Sequence, residues 1–187
     1  PIEKANESKG KEDILQKVQK SKNSPAKELL DISLDAEEYT VTFVANGQTV
    51  TRKALFDWSK EDNERIRYYS GTAIYKTTFP WKYKEQKDRQ VYLHLGTVYN
   101  LATVRVNGID CGTVWTAPYR ADITAALKKG TNELEIEVTN TWANALKGTD
   151  EGKAPFEGIW TNAKYRKQEN TLLPGGLLGP LYLEQSN

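Results

Sequence analysis

Residues 132–138 read Asn132-Glu133-Leu134-Glu135-Ile136-Glu137-Val138, and the period of this stretch decides the fold. Leu134, Ile136 and Val138 fall on one face and the three glutamates on the other, as in a strand with one face on a core and one in water. The glutamates repeat about every 7 Å, and alternation alone explains them as the solvent side of a sheet. The same period recurs on either side. Gln90 to Leu95 sets Val91, Leu93 and Leu95 against Tyr92 and His94, and Ala102, Val104 and Val106 alternate before Asn107-Gly108, a two-residue hairpin signal. Upstream, Leu30, Ile32 and Leu34 alternate. Tyr39, Val41 and Phe43 do so before Ala45-Asn46-Gly47, with Gln48 to Lys53 as the return strand. Thr72 to Phe79 reads as another strand, and Leu181 to Glu184 closes the chain. Asp57 to Arg67 is a charged connection carrying Trp58. Helical character is expected only over Ala121 to Lys129, led by Asp122 and Thr124 as caps and ended by Gly130. The run from Pro174 to Pro180 lacks the Lys and the following helix of a phosphate loop and reads as a tight turn. Short strands punctuated by turns, without helical crossovers, predict an all-β antiparallel sandwich or jelly roll.

The chain has 187 residues, enough for one domain that buries roughly 70% of its unfolded surface. Lys plus Arg is 26 and Asp plus Glu is 25, a net charge of +1, without the basic excess of a nucleic-acid or anionic-membrane binder. No nucleic acid and no membrane are expected as partners. No stretch approaches the ~20 apolar residues of a spanning helix, and no leader pattern is present. Residues 1–28 are polar, with only Ile14, Leu15 and Val18 at helical spacing; they read as a linker or extension before a β-sandwich domain over 29–187. The chain opens on Pro1 and contains no Met, which reads as an excised or processed piece. Cys111 is the single cysteine and His94 the single histidine. That excludes an intrachain disulfide and argues against zinc sites built on thiolates or imidazoles and against a Ser-His relay. Cys111 is expected as a small buried thiol, and His94 as exposed or hydrogen-bonded into a neighbouring loop. No cofactor and no metal are predicted.

Two kinds of residue could carry chemistry. Asp150, Glu151 and Glu157 are carboxylates in the long connection after Val138, and a glycoside hydrolase needs two carboxylates across the scissile bond. No motif singles these out. Aromatic residues are the stronger signal, because the C–H face of a sugar stacks on indole or phenol rings while Asn, Asp and Arg satisfy its hydroxyls. Trp115-Thr116-Ala117-Pro118-Tyr119-Arg120, Trp142-Ala143-Asn144, Trp58, Tyr68, Tyr69 and the run Phe156 to Trp160 all lie in connections. The competing reading is that such rings plug the ends of a sandwich core.

Three stretches carry a resemblance: Tyr69 to Phe79, Val91 to Gly96, and Ala102 to Gly108. With Gly112, Trp115 to Tyr119, Asp122-Ile123-Thr124, Leu127, Gly130 to Leu134 and Val138-Thr139-Asn140 in the same order, they resemble the sugar-binding β-sandwich of glycoside hydrolase family 2. Leu172 to Leu183 is similar to the closing strand of the C-terminal domain of family 106 α-L-rhamnosidases. The resemblance covers roughly residues 30 to 184. It implies a galactose-binding-like jelly roll that is non-catalytic by itself, packs on the catalytic domain of a multidomain glycoside hydrolase, and contacts an oligo- or polysaccharide. It maps the contacting loop onto Asn140, Trp142 and Asn144, with Trp115 and Tyr119 as further carbohydrate-binding candidates. It also implies a periplasmic or extracellular location. A purely structural interdomain module without ligand is the alternative, since the same motifs serve the fold alone.

Overall fold

A computed structural model describes residues 32–34, 37–82, 89–153, 159–162 and 171–186. Twelve strands follow one another: β1 (Ile32–Ser33), β2 (Tyr39–Phe43), β3 (Gln48–Arg52), β4 (Thr72–Trp81), β5 (Gln90–His94), β6 (Thr97–Tyr99), β7 (Leu101–Val106), β8 (Ile109–Val114), β9 (Arg120–Asp122), β10 (Gly130–Thr139), β11 (Gly176–Gly179) and β12 (Tyr182–Ser186). Two helices, α1 (Glu64–Arg67) and α2 (Ala143–Asp150), lie among them. The strands form a six-stranded sheet of order β3-β2-β4-β10-β7-β8, a four-stranded sheet of order β1-β12-β5-β9, and a small β11-β6 pair. All ladders between these strands are antiparallel. This is the all-β antiparallel sandwich that the alternating pattern predicts, and the galactose-binding-like fold that the resemblance implies.

The core lies where the inward faces of the two large sheets meet. Leu134, Ile136 and Val138 of β10 are buried, as are Val41 and Phe43 of β2 and Leu93 of β5. At one end the β7–β8 hairpin turns on Asn107 and Gly108, whose φ angles of 52° and 78° are those of a type I′ turn. Outward-facing residues of the six-stranded sheet line up across the strands. One row runs Thr40, Lys76, Glu135, Arg105, Asp110, and the next Thr42, Ile74, Glu137, Thr103, Thr113. Lys76 pairs with Glu135 at 2.9 Å, and Arg105 bonds both Glu135 and Glu137. The Lys76 ammonium, with Arg105 behind it, holds the Glu135 carboxyl below the usual carboxylate range. These residues are the solvent side of the sheet, stitched by charge.

The structure corrects several expectations. The segment 121–129 is not a helix. Ala121 belongs to β9, and only Thr124–Ala126 makes a 3₁₀ turn, in which Asp122 accepts hydrogen bonds from the Thr124 N–H and hydroxyl. Asn132 then takes both the N–H and the C=O of Lys128, which stops any further winding. Conversely α2 forms where a loop was expected, because its N-terminal turn docks on the Ser70 hydroxyl through the Ala145 N–H. Gly176–Gly179 is strand β11 rather than a tight turn, paired with β6. Cys111 is half-exposed on the edge strand β8 rather than buried, and desolvation is the first cause that raises its thiol pKa. His94 bonds no loop: its Nε2 lies 2.5 Å from Glu184 Oε2 on β12, and its ring stacks on Tyr182 at 4.4 Å. Leu30, the whole of the expected extension 1–28, Phe156 and Glu157 lie outside the described residues.

Candidate functional site

The end of the sandwich opposite the Asn107-Gly108 hairpin is where β10 runs out at Thr139 and the chain enters α2. Two asparagines build it. Asn140 accepts the Gly71 N–H on Oδ1 (2.8 Å) and donates from Nδ2 to the Tyr69 carbonyl (2.9 Å). Asn144 is buried, accepts the Leu173 N–H (2.9 Å) and donates to the Leu173 carbonyl (2.7 Å). Each amide thus spends its oxygen and one N–H on backbone. They position loops here, and their polar atoms already have partners.

Under them lies an aromatic box. Trp58 packs edge-on to Phe43 and Tyr69 and donates its indole N–H to the Tyr75 hydroxyl at 2.7 Å. The Tyr75 hydroxyl also accepts the Leu177 N–H, and burial pushes its pKa far above the ordinary phenol value. The segment Leu173 to Gly176 straps over this box. Trp58 N–H donates to the Gly175 carbonyl, and the Gly175 N–H to Asp57 Oδ1. Gly176 is required: a Cβ there would sit 2.4 Å from Trp58 Nε1, and its φ is +101°. Trp58 and Tyr69, read in the sequence as connection aromatics, are therefore core plugs. Tyr68 is buried too; its hydroxyl donates to Glu151 Oε2 at 2.6 Å, and that bond is the first cause raising its pKa.

What the box leaves outside is apolar. Seven large hydrophobic side chains are exposed among the described residues: Val44, Leu101, Ile109, Trp115, Trp142, Trp160 and Leu173. All except Ile109, which follows the Asn107-Gly108 turn, gather at the Asn140 end. Val44 bonds the Thr72 carbonyl, and Leu101 faces Thr139. Trp115 follows Val114, the partner of Ala102. Leu173 is held by Asn144. Trp142 (57% exposed) and Trp160 (78% exposed) line an open cleft of about 330 Å³ with Leu146, Ile159 and Thr161. Trp142 thus comes to a cleft wall while its sequence neighbours Asn140 and Asn144 brace the loops behind it. Trp115 (71% exposed) stands apart on the same end, and Tyr119 is half-buried against the core beside it. Trp160 was legible as an aromatic of the connection, but nothing in the sequence pairs it with Trp142. Of the acidic candidates, Glu151 is engaged by Tyr68 and lies 4.0 Å from Lys147, and Asp150 is exposed at the end of α2. Among the described residues no group of three His, Cys, Asp or Glu side chains could hold a metal ion, and no helix is long and apolar enough to cross a membrane.

Comparison with known proteins gives concordant matches. The family model described as glycosyl hydrolase 2 galactose-binding domain-like matches residues 48–172. A protein named as a β-glucuronidase from Formosa agariphila is 36% identical over 174 residues, covering 78% of this chain and 15% of that protein. Among solved structures, a rhamnosidase from Novosphingobium sp. PP1Y superposes with a TM-score of 0.76 at 37% identity, over 83% of this chain and 15% of the other. An FMN-binding β-glucuronidase from Faecalibacterium prausnitzii L2-6 gives 0.58 at 25% identity, over 85% of this chain and 23% of the other. The chain therefore spans about 15% of the length of the Formosa and Novosphingobium proteins.

Proposed function

Because this chain belongs to the glycosyl hydrolase 2 galactose-binding domain-like family, we propose that it is a non-catalytic accessory domain of a larger glycoside hydrolase and meets carbohydrate at its aromatic end. The observation that carries this reading is the cleft between Trp142 and Trp160. Two exposed indoles beside Leu146, Ile159 and Thr161 offer stacking faces to the C–H side of a sugar ring. Asn140 and Asn144 act in this reading as positioning residues, because both amides are committed to backbone. The partner domain is the catalytic domain of the parent enzyme, which supplies the reacting carboxylates. In this reading the parent enzyme degrades polysaccharide and works in the periplasm or outside the cell.

The test is a glycan-array screen of the chain, followed by tryptophan fluorescence on any hit and repeated with Trp142→Ala. Saturable binding that is lost in Trp142→Ala is the expected result. The chain alone should turn over no aryl glycoside; hydrolysis abolished by Glu157→Ala would overturn the assignment. A second reading is a structural module without ligand. It is favoured by the engagement of the Asn140 and Asn144 amides with backbone and by a cleft lining of Trp142, Leu146, Ile159, Trp160 and Thr161 that offers few polar groups to sugar hydroxyls. A folded chain that binds no glycan would select it.

A further inference from the structure

The first turn of α2 carries part of the cleft wall. Trp142 and Leu146 stand four residues apart, a spacing that puts them on one helix face, and both line the cleft with Ile159, Trp160 and Thr161. The Leu146 N–H bonds the Trp142 carbonyl at 3.1 Å, so this turn sets where the Trp142 indole stands. The N–H groups of a first helical turn need an acceptor from outside the helix ladder. Trp142 occupies the N-cap position and makes no capping hydrogen bond through its side chain, because an indole has a donor and no acceptor. Ser70, with 1% of its surface exposed, supplies the missing oxygen. Its hydroxyl accepts the Ala145 N–H at 3.1 Å from 75 residues upstream. Ala145 is the third residue of α2, the position whose N–H an N-cap side chain ordinarily takes. Ser70 is itself held in place: the Asn140 amide accepts the Gly71 N–H and donates to the Tyr69 carbonyl, and so spans the residue between them.

From this geometry we infer that Ser70 is a positioning residue of the cleft: an N-cap supplied from outside the helix, steadied by Asn140, that fixes the first turn of α2 and with it the Trp142 face. The consequence for sugar binding rests on the carbohydrate reading given above; the placing of Trp142 does not. Asn144 ties the same turn to the Leu173 backbone, so loss of the Ser70 hydroxyl leaves the turn on one anchor instead of two. The far end of α2 is held separately, by the Tyr68 hydroxyl on Glu151 and by Gly148 against the Tyr68 side chain. A change at Ser70 therefore loosens the turn that carries Trp142 and leaves the last turn docked.

The experiment uses the chain labelled with 5-fluorotryptophan, whose five tryptophans give ¹⁹F resonances assigned by single Trp→Phe variants. Wild type is compared with Ser70→Ala, Ser70→Cys and Tyr68→Phe. Ser70→Cys keeps a side chain of similar size with only a weak acceptor, so it carries the comparison if Ser70→Ala does not fold, and a native Trp58 resonance shows that the core is intact. The expected result in both Ser70 variants is a shifted or broadened Trp142 resonance and an Ala145 amide that exchanges about tenfold faster, the size of effect a lost cap produces. Tyr68→Phe should leave the Trp142 resonance in place. Any glycan found by the array should bind Ser70→Cys about threefold to tenfold more weakly than wild type. An unchanged Trp142 resonance and unchanged Ala145 exchange in Ser70→Cys would overturn the assignment, as would an equal Trp142 shift in Tyr68→Phe. A shifted Trp142 resonance in a chain whose wild type binds no glycan would overturn the carbohydrate reading and leave the role of Ser70 standing.

Discussion

The two ends of the sandwich use one device for opposite purposes. At the hairpin end, Asn107 donates to the Ala126 carbonyl and to Asn132 Oδ1, and accepts the Glu133 N–H. Asn132, fully buried, takes the Lys128 N–H and donates to the Lys128 and Gly130 carbonyls. At the other end Asn140 and Asn144 staple loops with the same two-sided amide geometry. Among the described residues the hairpin end leaves only Ile109 as an exposed large apolar side chain, while the Asn140 end leaves three tryptophans, two leucines and a valine exposed. Asparagines bonded to backbone through both ends of the amide are therefore a mark of loop building in this protein. Exposed aromatic area is the property that sets the Asn140 end apart from the hairpin end.

The largest expected effect comes from unseating the strap at the aromatic end. Gly176→Ala forces a Cβ against the Trp58 indole at a left-handed φ. Overpacking of about 1–3 kcal/mol and a left-handed penalty of about 1–2 kcal/mol together predict a loss of about 3 kcal/mol in urea denaturation. An unchanged denaturation midpoint would show that the strap is not locked onto the aromatic box. Next come the two buried asparagines, which set one end against the other. Asn132→Ala should cost about 2–3 kcal/mol and Asn144→Ala about 1–2 kcal/mol, because the first strips partners from three backbone groups and the second from two. Amide exchange should accelerate at Leu173 in Asn144→Ala and at Lys128 in Asn132→Ala. Exchange that accelerates at both ends in either variant would mean that the ends are not independent.

Smaller still is the effect of the cleft wall on stability. Trp142→Ala should move stability by no more than about 0.5 kcal/mol, as for an exposed residue, while removing glycan binding. A large drop in the thermal midpoint would reassign Trp142 from surface to packing. The smallest effect belongs to the charged row. The Glu135 carboxyl is held low by Lys76 and then Arg105, so its contribution is present above the unfolded value of about 4.3 and is lost as pH falls through the lower folded pKa. The pair is partly exposed and screened, which keeps that contribution below about 1 kcal/mol. Wild type should therefore lose a slightly larger share of its stability between pH 5 and pH 2 than Glu135→Gln, measured as thermal midpoints at low salt. Identical acid profiles would remove the row from the stability argument.

The legible and illegible parts of this molecule differ in the range of the forces that make them. Strand β10 is visible because each of its residues reports its own face, and Asn107-Gly108 announces its turn through φ angles few other pairs adopt. Helix α2 is invisible because it owes little to propensity: Asn144, Gly148 and Thr149 are poor helix formers. It is held by Ser70 and by the close fit of Gly148 against Tyr68, about 75 to 80 residues upstream. The segment 121–129 misled for the converse reason, since its alanines suit a helix while Ala121 is needed in β9 beside Leu93. At the site, Trp115 and Trp142 stand out as aromatics in connections. Asn140 and Asn144 carry no sign in the sequence of whether they face a ligand or a loop.

The sequence by itself determined the strand periodicity, the sandwich class and the family, because those properties are written in local patterns. Only the tertiary structure decided which tryptophans are core and which are surface. Trp58 and Trp142 occupy similar connections, and what separates them is the strap of Gly175 and Gly176 that closes over one indole and not the other. That strap arrives from more than a hundred residues away in the chain. Its close approach depends on missing side chains, and the burial it produces belongs to the packed fold rather than to any stretch of residues.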